Sequence, residues 1–258
     1  MSVVINTNVD ALNAQRNLGV TATAFSKSVE KLSSGLRINR AADDAAGLGI
    51  SETFRSQVNG LNQAVRNAQD GISMVQTGEG ALNEVSSMLQ RIRELAVQYN
   101  NGTNDANAQA SIQAEADALQ TAIAAIGTNT KFNGVALFAD STVTLQVGAN
   151  SGETQDVKLS KLDTSAADVT KLDTIDAVIA DVSSQRATFG AAQNALEHTV
   201  NNLNVAAENF TASESRIRDL DVASEMVNFT KTQILQQAGT AILAQANSAP
   251  QSILTLLR

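Results

Sequence analysis

The sequence contains no cysteine and no tryptophan, and it has one proline and one tyrosine among its 258 residues. Without cysteine, the chain can form neither disulfides nor thiolate metal sites. Aromatic residues make up only 3% of the chain, whereas ligand pockets are usually lined by large apolar and aromatic side chains. Its many alanine, serine, threonine and asparagine residues favour close helix packing, so we expect no cofactor and no metal.

Basic clusters and long apolar runs are also missing. The chain carries 18 Lys and Arg against 26 Asp and Glu, a net charge of −8. Nucleic-acid affinity depends largely on basic side chains that neutralise phosphates, so we expect no nucleic-acid partner. No window approaches the roughly 20 apolar residues of a membrane helix, which predicts no membrane insertion. Residues 1–11 lack the basic start and apolar stretch of a cleavable secretory signal.

The strongest pattern in the chain is apolar periodicity at both ends. Spacings that alternate between three and four residues place apolar side chains along one line of a helix, as in coiled coils. In the first helix this seam comprises Leu18, Ala22, Phe25, Val29, Leu32 and Leu36. Near the other end, the apolar positions are Ile217, Leu220, Val227, Ile234, Ala238, Ile242, Ile253, Leu254, Leu256 and Leu257. We expect these ends to pair with each other and with identical neighbours.

Three further helical segments lie between the ends. The first helix is predicted over about residues 9–36, followed by a connector over 37–49 that could contain a short helix. A long helix follows over about 54–95, in which Gly71, Gly78 and Gly80 require compensating packing or a bend. A third helix covers about 112–126 and a last helical part begins near 175. Asn133-Gly134 and the alternation around Val143 predict strands within about 130–162. The fold class is therefore mainly α, with long antiparallel helices in a coiled-coil bundle and a small central β-hairpin region.

Residues suited to catalysis are scarce. Asp43 and Asp44 form a carboxylate pair that could serve as acid and base, but a helix cap explains them as well. His198 is the sole histidine and forms no His-Glu-x-x-His motif. The glycines at 78 and 80 lack the Gly-Lys-Ser/Thr ending of a phosphate-binding loop. We therefore predict that the protein is not an enzyme.

Five long motifs strongly resemble bacterial flagellin. They occupy residues 32–52, 67–85, 89–98, 132–134 and 215–247. The resemblance implies a self-assembling subunit of the flagellar filament, used in swimming motility. It also implies an inner coiled-coil domain from residues 1–44 with 215–258, and a helical shell domain over 45–214 that includes one β-hairpin. The short centre predicts that a large variable outer domain is absent.

The resemblance further implies partners and a location. Flagellins form helical homopolymers and are exported through the type III channel of the flagellum, so the expected location is extracellular, in the filament. An export chaperone at the C-terminal segment, a filament cap and hook-junction proteins are the implied partners. We also expect residues 1–36 and about 218–258 to be disordered in the monomer and to fold on assembly, because pairing distant ends costs ordering entropy.

One implied site concerns innate immunity. In flagellins that activate the Toll-like receptor for flagellin, the motif matched by residues 89–96 and a Glu on the following helix form the epitope, which corresponds here to Arg91, Leu95 and Glu115. The alternative is that these residues pack subunit against subunit. The tail at 253–257 resembles the segment sensed by cytosolic flagellin receptors, although lining the inner tube of the filament is the first expectation.

Three other functions compete with the filament subunit. A hook-filament junction protein would share the terminal helices but usually has a larger middle region. An acidic coiled-coil binding module would form a discrete oligomer. An enzyme within a flagellin scaffold would need a catalytic insertion, and the central segment here is too short and contains no histidine.

Overall fold

The computed structural model describes residues 7–164 and 167–256, with side chains described up to residue 249. The described residues form five long helices and two small hairpins. The helices are α1 (Val9–Ser34), α2 (Ala45–Tyr99), α3 (Ala106–Asn129), α4 (Leu172–Arg218) and α5 (Val222–Leu256), and the strands are β1 (Lys131–Phe132), β2 (Val135–Ala136), β3 (Ser141–Gln146) and β4 (Thr154–Leu159). This architecture confirms the predicted fold class.

The ends of the first helix follow from local capping. Asn8 accepts a hydrogen bond from the Ala11 N–H through its side chain and so caps the N-terminus of α1. Gly35 adopts a left-handed conformation with φ of 71° and donates its N–H to the Lys31 carbonyl. Because glycine adopts this conformation without a steric cost, it commonly ends helices. The predicted extension of the first helix to residue 36 is therefore wrong by about one half-turn.

The connector is also shorter than predicted. Asp44 Oδ1 accepts the N–H of Gly47 at 2.8 Å, which is the arrangement of an N-terminal cap. Consequently α2 begins at Ala45, inside the segment 37–49 that periodicity assigned to a connector.

Helix α2 runs unbroken for 55 residues, which is about 80 Å at the usual rise. Gly78 is required by packing, since a Cβ atom at this position would lie 2.6 Å from Cε2 of Phe189 on α4. Gly71 is similarly close to Leu145 and Leu196. Gly80 lies two residues further along the helix, and a Cβ atom there would have no neighbour within 4 Å. The helix thus remains continuous because tight packing accompanies two of its glycines.

Two hairpins follow α3. Asn133 and Gly134 have φ of 47° and 84° and form the two-residue turn between β1 and β2, as the Asn-Gly pair predicts. Strands β3 and β4 pair antiparallel, with Val143 opposite Val157. The resemblance implied one hairpin, whereas the structure has a second, very short one. Val157 and Leu159 are buried and attach the longer hairpin to the core.

The chain forms two compact units. One comprises Ser56–Asn209 and contains the whole main apolar core, with fully buried side chains such as Leu82, Leu89 and Leu196. The other comprises the residues up to Arg55 together with those from Phe210 onward, and it includes α1 and α5. The unit boundaries fall within α2 and α4. The division predicted at 44/45 and 214/215 stays a prediction about the assembled protein.

Gly78 and Gly80, two residues apart on α2, provide a matched test of packing. We expect Gly80→Ala to raise the free energy of unfolding by about 1 kcal/mol, because alanine is the better helix former and nothing lies nearby. Gly78→Ala should lower it by roughly 1–3 kcal/mol, because the added methyl overpacks the α2 contact with Phe189. Urea unfolding of the monomer, followed by circular dichroism, measures both. Equal stabilisation by the two variants would show that the close approach at Gly78 is unnecessary.

Candidate functional site

Helices α1 and α5 pair antiparallel along their length. Toward the C-terminal end of α1 and the N-terminal end of α5, the rings of Phe25 and Phe229 stack with centroids 5.0 Å apart. The Ser28 hydroxyl donates a hydrogen bond to the Glu225 carboxylate. At the far end, the Asn8 side-chain amide donates to the Ala246 carbonyl at 2.7 Å. These contacts fix the register of the pair and bring together residues 197 to 238 positions apart in the chain.

The face that α1 presents to α5 agrees with the predicted seam. Leu18, Ala22, Phe25 and Leu32 are half-buried, while Val29 is exposed. Leu36 lies past the helix end and forms an isolated β-bridge with Asp219. The seam of α1 was therefore recognisable from its spacing.

The face of α5 that meets α1 is a different one from the predicted apolar seam. Its half-buried positions follow the coiled-coil spacing but are mostly small or polar, namely Glu225, Phe229, Thr232, Gln236, Gly239, Leu243 and Ala246. Ile234 and Ile242 are instead 59% and 60% exposed on the outer side of the helix. Ile234 and Ile242 therefore do not pack against α1, because α5 has two seams and only its polar one packs internally, and their place in the assembly seam stays a prediction.

The outer side of α5 is apolar and open. A groove of about 550 Å³ runs along it, lined by Met226, Val227, Thr230, Lys231, Ile234 and Leu235. Most of the exposed large apolar side chains of the described residues lie on α1 or α5, whereas the other helices contribute few. Within the terminal seam, the side chain of Leu254 is not described and Leu257 lies outside the described residues. The terminal helices therefore carry most of the exposed large apolar side chains of the part described.

Backbone hydrogen bonds just after the end of α1 and just before the start of α5 form a junction that holds the two helices together. The Arg37 N–H donates to the Arg218 carbonyl at 2.7 Å, and the Leu220 N–H donates to the Gly35 carbonyl at 3.0 Å. Arg218 also donates through Nη1 to Glu52 at 2.7 Å. The Arg218 side chain is only 15% exposed, whereas the Glu52 side chain is 52% exposed, so solvent still screens this ion pair from the Glu52 side. The junction fixes where α1 ends relative to the turn between α4 and α5.

A second predicted site centres on Arg91 in α2. Its guanidinium donates through Nε and Nη2 to Glu115 Oε1 at 2.9 and 2.8 Å, and through Nη1 to Glu94 at 3.1 Å. The hydrogen bond that Arg91 donates to Glu115 is the main reason that the pKa of Arg91 is raised. Arg91 and Glu115 are about half exposed, so solvent screens their attraction and leaves both groups accessible.

Leu95 does not share this exposed surface. Its side chain is 1% exposed and belongs to the core formed with α3 and α4. The structure therefore corrects the expectation that Leu95 contacts a partner, because its heptad position points inward. Of the three predicted contact residues, Arg91 and Glu115 are brought together at the surface, and Leu95 supports the helix beneath them.

Arg93 offers a close comparison with Arg91. It lies two residues along α2 and is also 49% exposed, but it pairs with Asp176 at 2.7 Å. The hydrogen bond from Arg93 is the main cause of the lowered pKa of Asp176. The two arginines thus have equal charge and exposure and different acidic partners.

The candidate catalytic residues form no reaction centre. Asp43 accepts hydrogen bonds from the backbone N–H groups of Arg40 and Asn39, and the first of these is the main cause of its lowered pKa. Asp44 caps α2 as described, and His198 is exposed on α4. In the part of the chain that the structure describes, no three His, Cys, Asp or Glu side chains are grouped to hold a metal. Among the same residues, no helix is long and apolar enough to cross a membrane.

Comparison with known proteins decides the family. Residues 5–143 match the family model of the bacterial flagellin N-terminal helical region, and residues 172–257 match that of the C-terminal helical region. The chain belongs to the bacterial flagellin family. The two matched regions contain α1–α3 and α4–α5 respectively, so both arms of the terminal pair fall within the family models.

Individual flagellins are similar over nearly the whole chain. A flagellin of Halalkalibacterium halodurans is 53% identical over 272 residues, covering 99% of this chain and 100% of the relative. A Bacillus subtilis flagellin is 46% identical over 303 residues, covering 98% and 99%. The crystal structure of Bacillus cereus flagellin has 33% identity and a TM-score of 0.50, and the match covers 54% of this chain and 88% of that one.

Family membership establishes the general role. The protein is a flagellin, a structural subunit that self-assembles into the flagellar filament, and it is not an enzyme. It lies in the flagellum. The resemblance inferred from the five sequence motifs is confirmed, and the junction protein, the isolated binding module and the embedded enzyme are set aside.

Proposed function

We propose that the outer apolar face of the α1–α5 pair is the surface on which copies of this flagellin pack in the filament. The exposure of Ile234 and Ile242 on the side of α5 that faces away from α1 is the observation that carries this proposal. Contiguous exposed apolar surface on a soluble protein usually marks an interaction site. Leu254 and Leu257 would extend the same seam toward the C-terminus.

The energetics favour a partner on this face. Burying an isoleucine or leucine side chain fully contributes roughly 1.5–3 kcal/mol, although association also costs translational freedom and side-chain ordering. The α1–α5 contact uses the inner seam and leaves the outer one available. A contact between two different surfaces that repeats without closing generates a filament and not a ring.

A pair of substitutions tests the packing face. We expect the double variant Ile234→Ser, Ile242→Ser to keep its helical content while its critical concentration for polymerisation rises roughly 100-fold or more, since two apolar anchors are lost. Sedimentation and electron microscopy after addition of short filament seeds measure assembly. The matched control is Val205→Ser, because Val205 is 58% exposed on α4 and outside the terminal pair.

Two results would contradict this assignment. Normal assembly of the double variant would show that the outer face of α5 is not buried in the filament. An equal loss in Val205→Ser would show that any exposed apolar residue has the same effect and that the terminal face has no special role.

Folding of the terminal helices is proposed to be coupled to assembly. In the terminal pair most side chains along the inner seam are only half-buried, in contrast to the fully buried core of the other unit. We therefore propose that residues 1–36 and about 218–258 are largely unfolded in the free monomer. On assembly, residues 1–44 with 215–258 form the inner coiled-coil domain and 45–214 the surrounding shell.

An unfolded terminal segment also suits export through the narrow type III channel of the flagellum. The proposed route delivers the subunit to an extracellular filament, with an export chaperone bound at the C-terminal segment, and with a cap and hook-junction proteins at the two ends of the filament. The absence of cysteine favours threading, because no disulfide can lock the chain.

Deletion of the first thirty residues tests the export proposal. We expect the deleted chain to accumulate in the cell and to be absent from the culture medium, whereas Ile234→Ser, Ile242→Ser should still be secreted as monomer. Immunoblots of cells and medium distinguish the two. Normal secretion of the deleted chain would contradict the route, and strong hydrogen-exchange protection of the terminal segments in monomer would contradict coupled folding.

The cluster around Arg91 is proposed as a receptor contact of the monomer. Arg91 and Glu115 are exposed and oppositely charged, and arginine is enriched among residues that dominate interface energies. The same surface could pack against a neighbouring subunit, in which case the receptor would reach it only in monomer. For the tail at 253–257 our first proposal is that it lines the inner tube of the filament. Recognition by cytosolic flagellin receptors is the second proposal.

Arg91 and Arg93 form a matched pair for the receptor proposal. We expect monomeric Arg91→Ala to activate cells that express the Toll-like flagellin receptor at least about tenfold less potently, because a charged contact is lost. Arg93→Ala removes the same charge from the same helix and should signal like wild type. Dose-response curves in reporter cells measure the difference, and equal potency of all three proteins would refute the assignment. Leu95 is unsuitable for this test because truncating a buried leucine destabilises the core.

A further inference from the structure

The methionines of this chain differ sharply in exposure. Met226 is 46% exposed, whereas Met74 is 4% exposed within the core and Met88 is half-buried. Met1 lies outside the described residues. The chain has no cysteine, so among the described residues these thioethers are the sulfur atoms that an oxidant can reach. Susceptibility to oxidation follows exposure, which makes Met226 the preferred target.

Met226 also occupies a sensitive position. It lines the outer groove of α5 together with Val227, Ile234 and Leu235. Oxidation of a methionine converts a flexible apolar side chain into a polar one and disrupts apolar interfaces. An oxidised Met226 would therefore place a strong hydrogen-bond acceptor in the middle of an apolar surface.

The groove has few groups that could satisfy such an acceptor. The Thr230 hydroxyl already donates its proton to the Met226 carbonyl at 2.8 Å. Lys231 is the other lining residue with a side-chain donor, and burying its ammonium beside the sulfoxide would cost desolvation of a charge. A sulfoxide covered by a second copy would thus lack a hydrogen-bond donor, or it would keep the charged ammonium of Lys231 buried at the contact.

We propose that Met226 is an oxidation site whose sulfoxide blocks the packing of a second copy of this chain on the outer face of α5. The inference rests on the proposed packing face. In the reaction with hydrogen peroxide, the thioether sulfur takes one oxygen atom as the O–O bond breaks, sulfur is oxidised by two electrons, and the peroxide is reduced to water. Assembly covers the sulfur, so the free subunit is sensitive and the filament is protected.

The experiment treats monomer and preformed filament with the same dose of hydrogen peroxide and maps methionine sulfoxide by peptide mass spectrometry. We expect Met226 to be oxidised before Met74 and Met88 in the monomer, and much more slowly in the filament. Oxidised monomer should show a critical concentration for seeded assembly higher by on the order of tenfold, as expected for burying an unpaired polar group. Thiol-driven methionine sulfoxide reductases for both epimers should restore assembly.

Met226→Leu provides the matched control, because leucine has similar volume and is well tolerated in place of methionine. This variant should assemble like wild type and should be unaffected by peroxide. Continued sensitivity of Met226→Leu would place the damage elsewhere and overturn the proposal. Normal assembly of monomer fully oxidised at Met226 would overturn it as well.

The outcomes separate this inference from the packing proposal. If peroxide leaves assembly unchanged while Ile234→Ser, Ile242→Ser fails to assemble, the packing face stands and the oxidation site is refuted. If Met226 is oxidised equally fast in monomer and filament, this part of the groove is not covered, and the inference fails whatever the Ile234 and Ile242 variant does.

Discussion

The antiparallel contact between α1 and α5 is the constraint on which the rest of the structure depends. It joins the first and last helices of the chain, and its register is set by specific contacts such as the Phe25 and Phe229 stack and the hydrogen bond from Asn8 to Ala246. Each helix has only one face in this contact. Consequently the pair can form within one chain and still present an unused apolar face to another.

The two compact units bury apolar surface in different ways. In the unit 56–209, three helices and a hairpin enclose side chains such as Leu82 and Ile123 completely, which supports a stable fold within a single subunit. In the unit that contains the terminal pair, large apolar residues such as Val20 and Val227 remain exposed. This contrast supports the proposal that the unit 56–209 folds within one subunit while the terminal pair is completed by neighbouring copies.

Sequence periodicity predicted the helices and the hairpin region well, but it could not decide which side of a helix faces inward. In α1 the apolar seam and the packed face coincide. In α5 they do not, because Thr232, Gln236 and Gly239 form the packed face and the isoleucines lie opposite. The prediction that Leu95 is a contact residue was wrong for a related reason. Motif resemblance grouped Leu95 with Arg91, whereas the helical turn places the Leu95 side chain in the core. The cap at Asp44 was weighed in the sequence as the alternative to a catalytic role, but apolar spacing alone did not locate the start of α2 at Ala45.

The inner and outer faces of α5 differ in the kind of contact that each one suits. From residue 232 to the end of the helix at Leu256, α5 contains no charged residue. Its inner face offers small and polar groups that suit the close approach of α1, as at Gly239, where an added Cβ would lie 3.1 Å from Leu18. Its outer face offers bulky side chains that would prevent such an approach. Because this stretch carries no charge, its two faces differ mainly in side-chain size, which supports the proposal that α1 packs on one face and a second copy of the chain packs on the other.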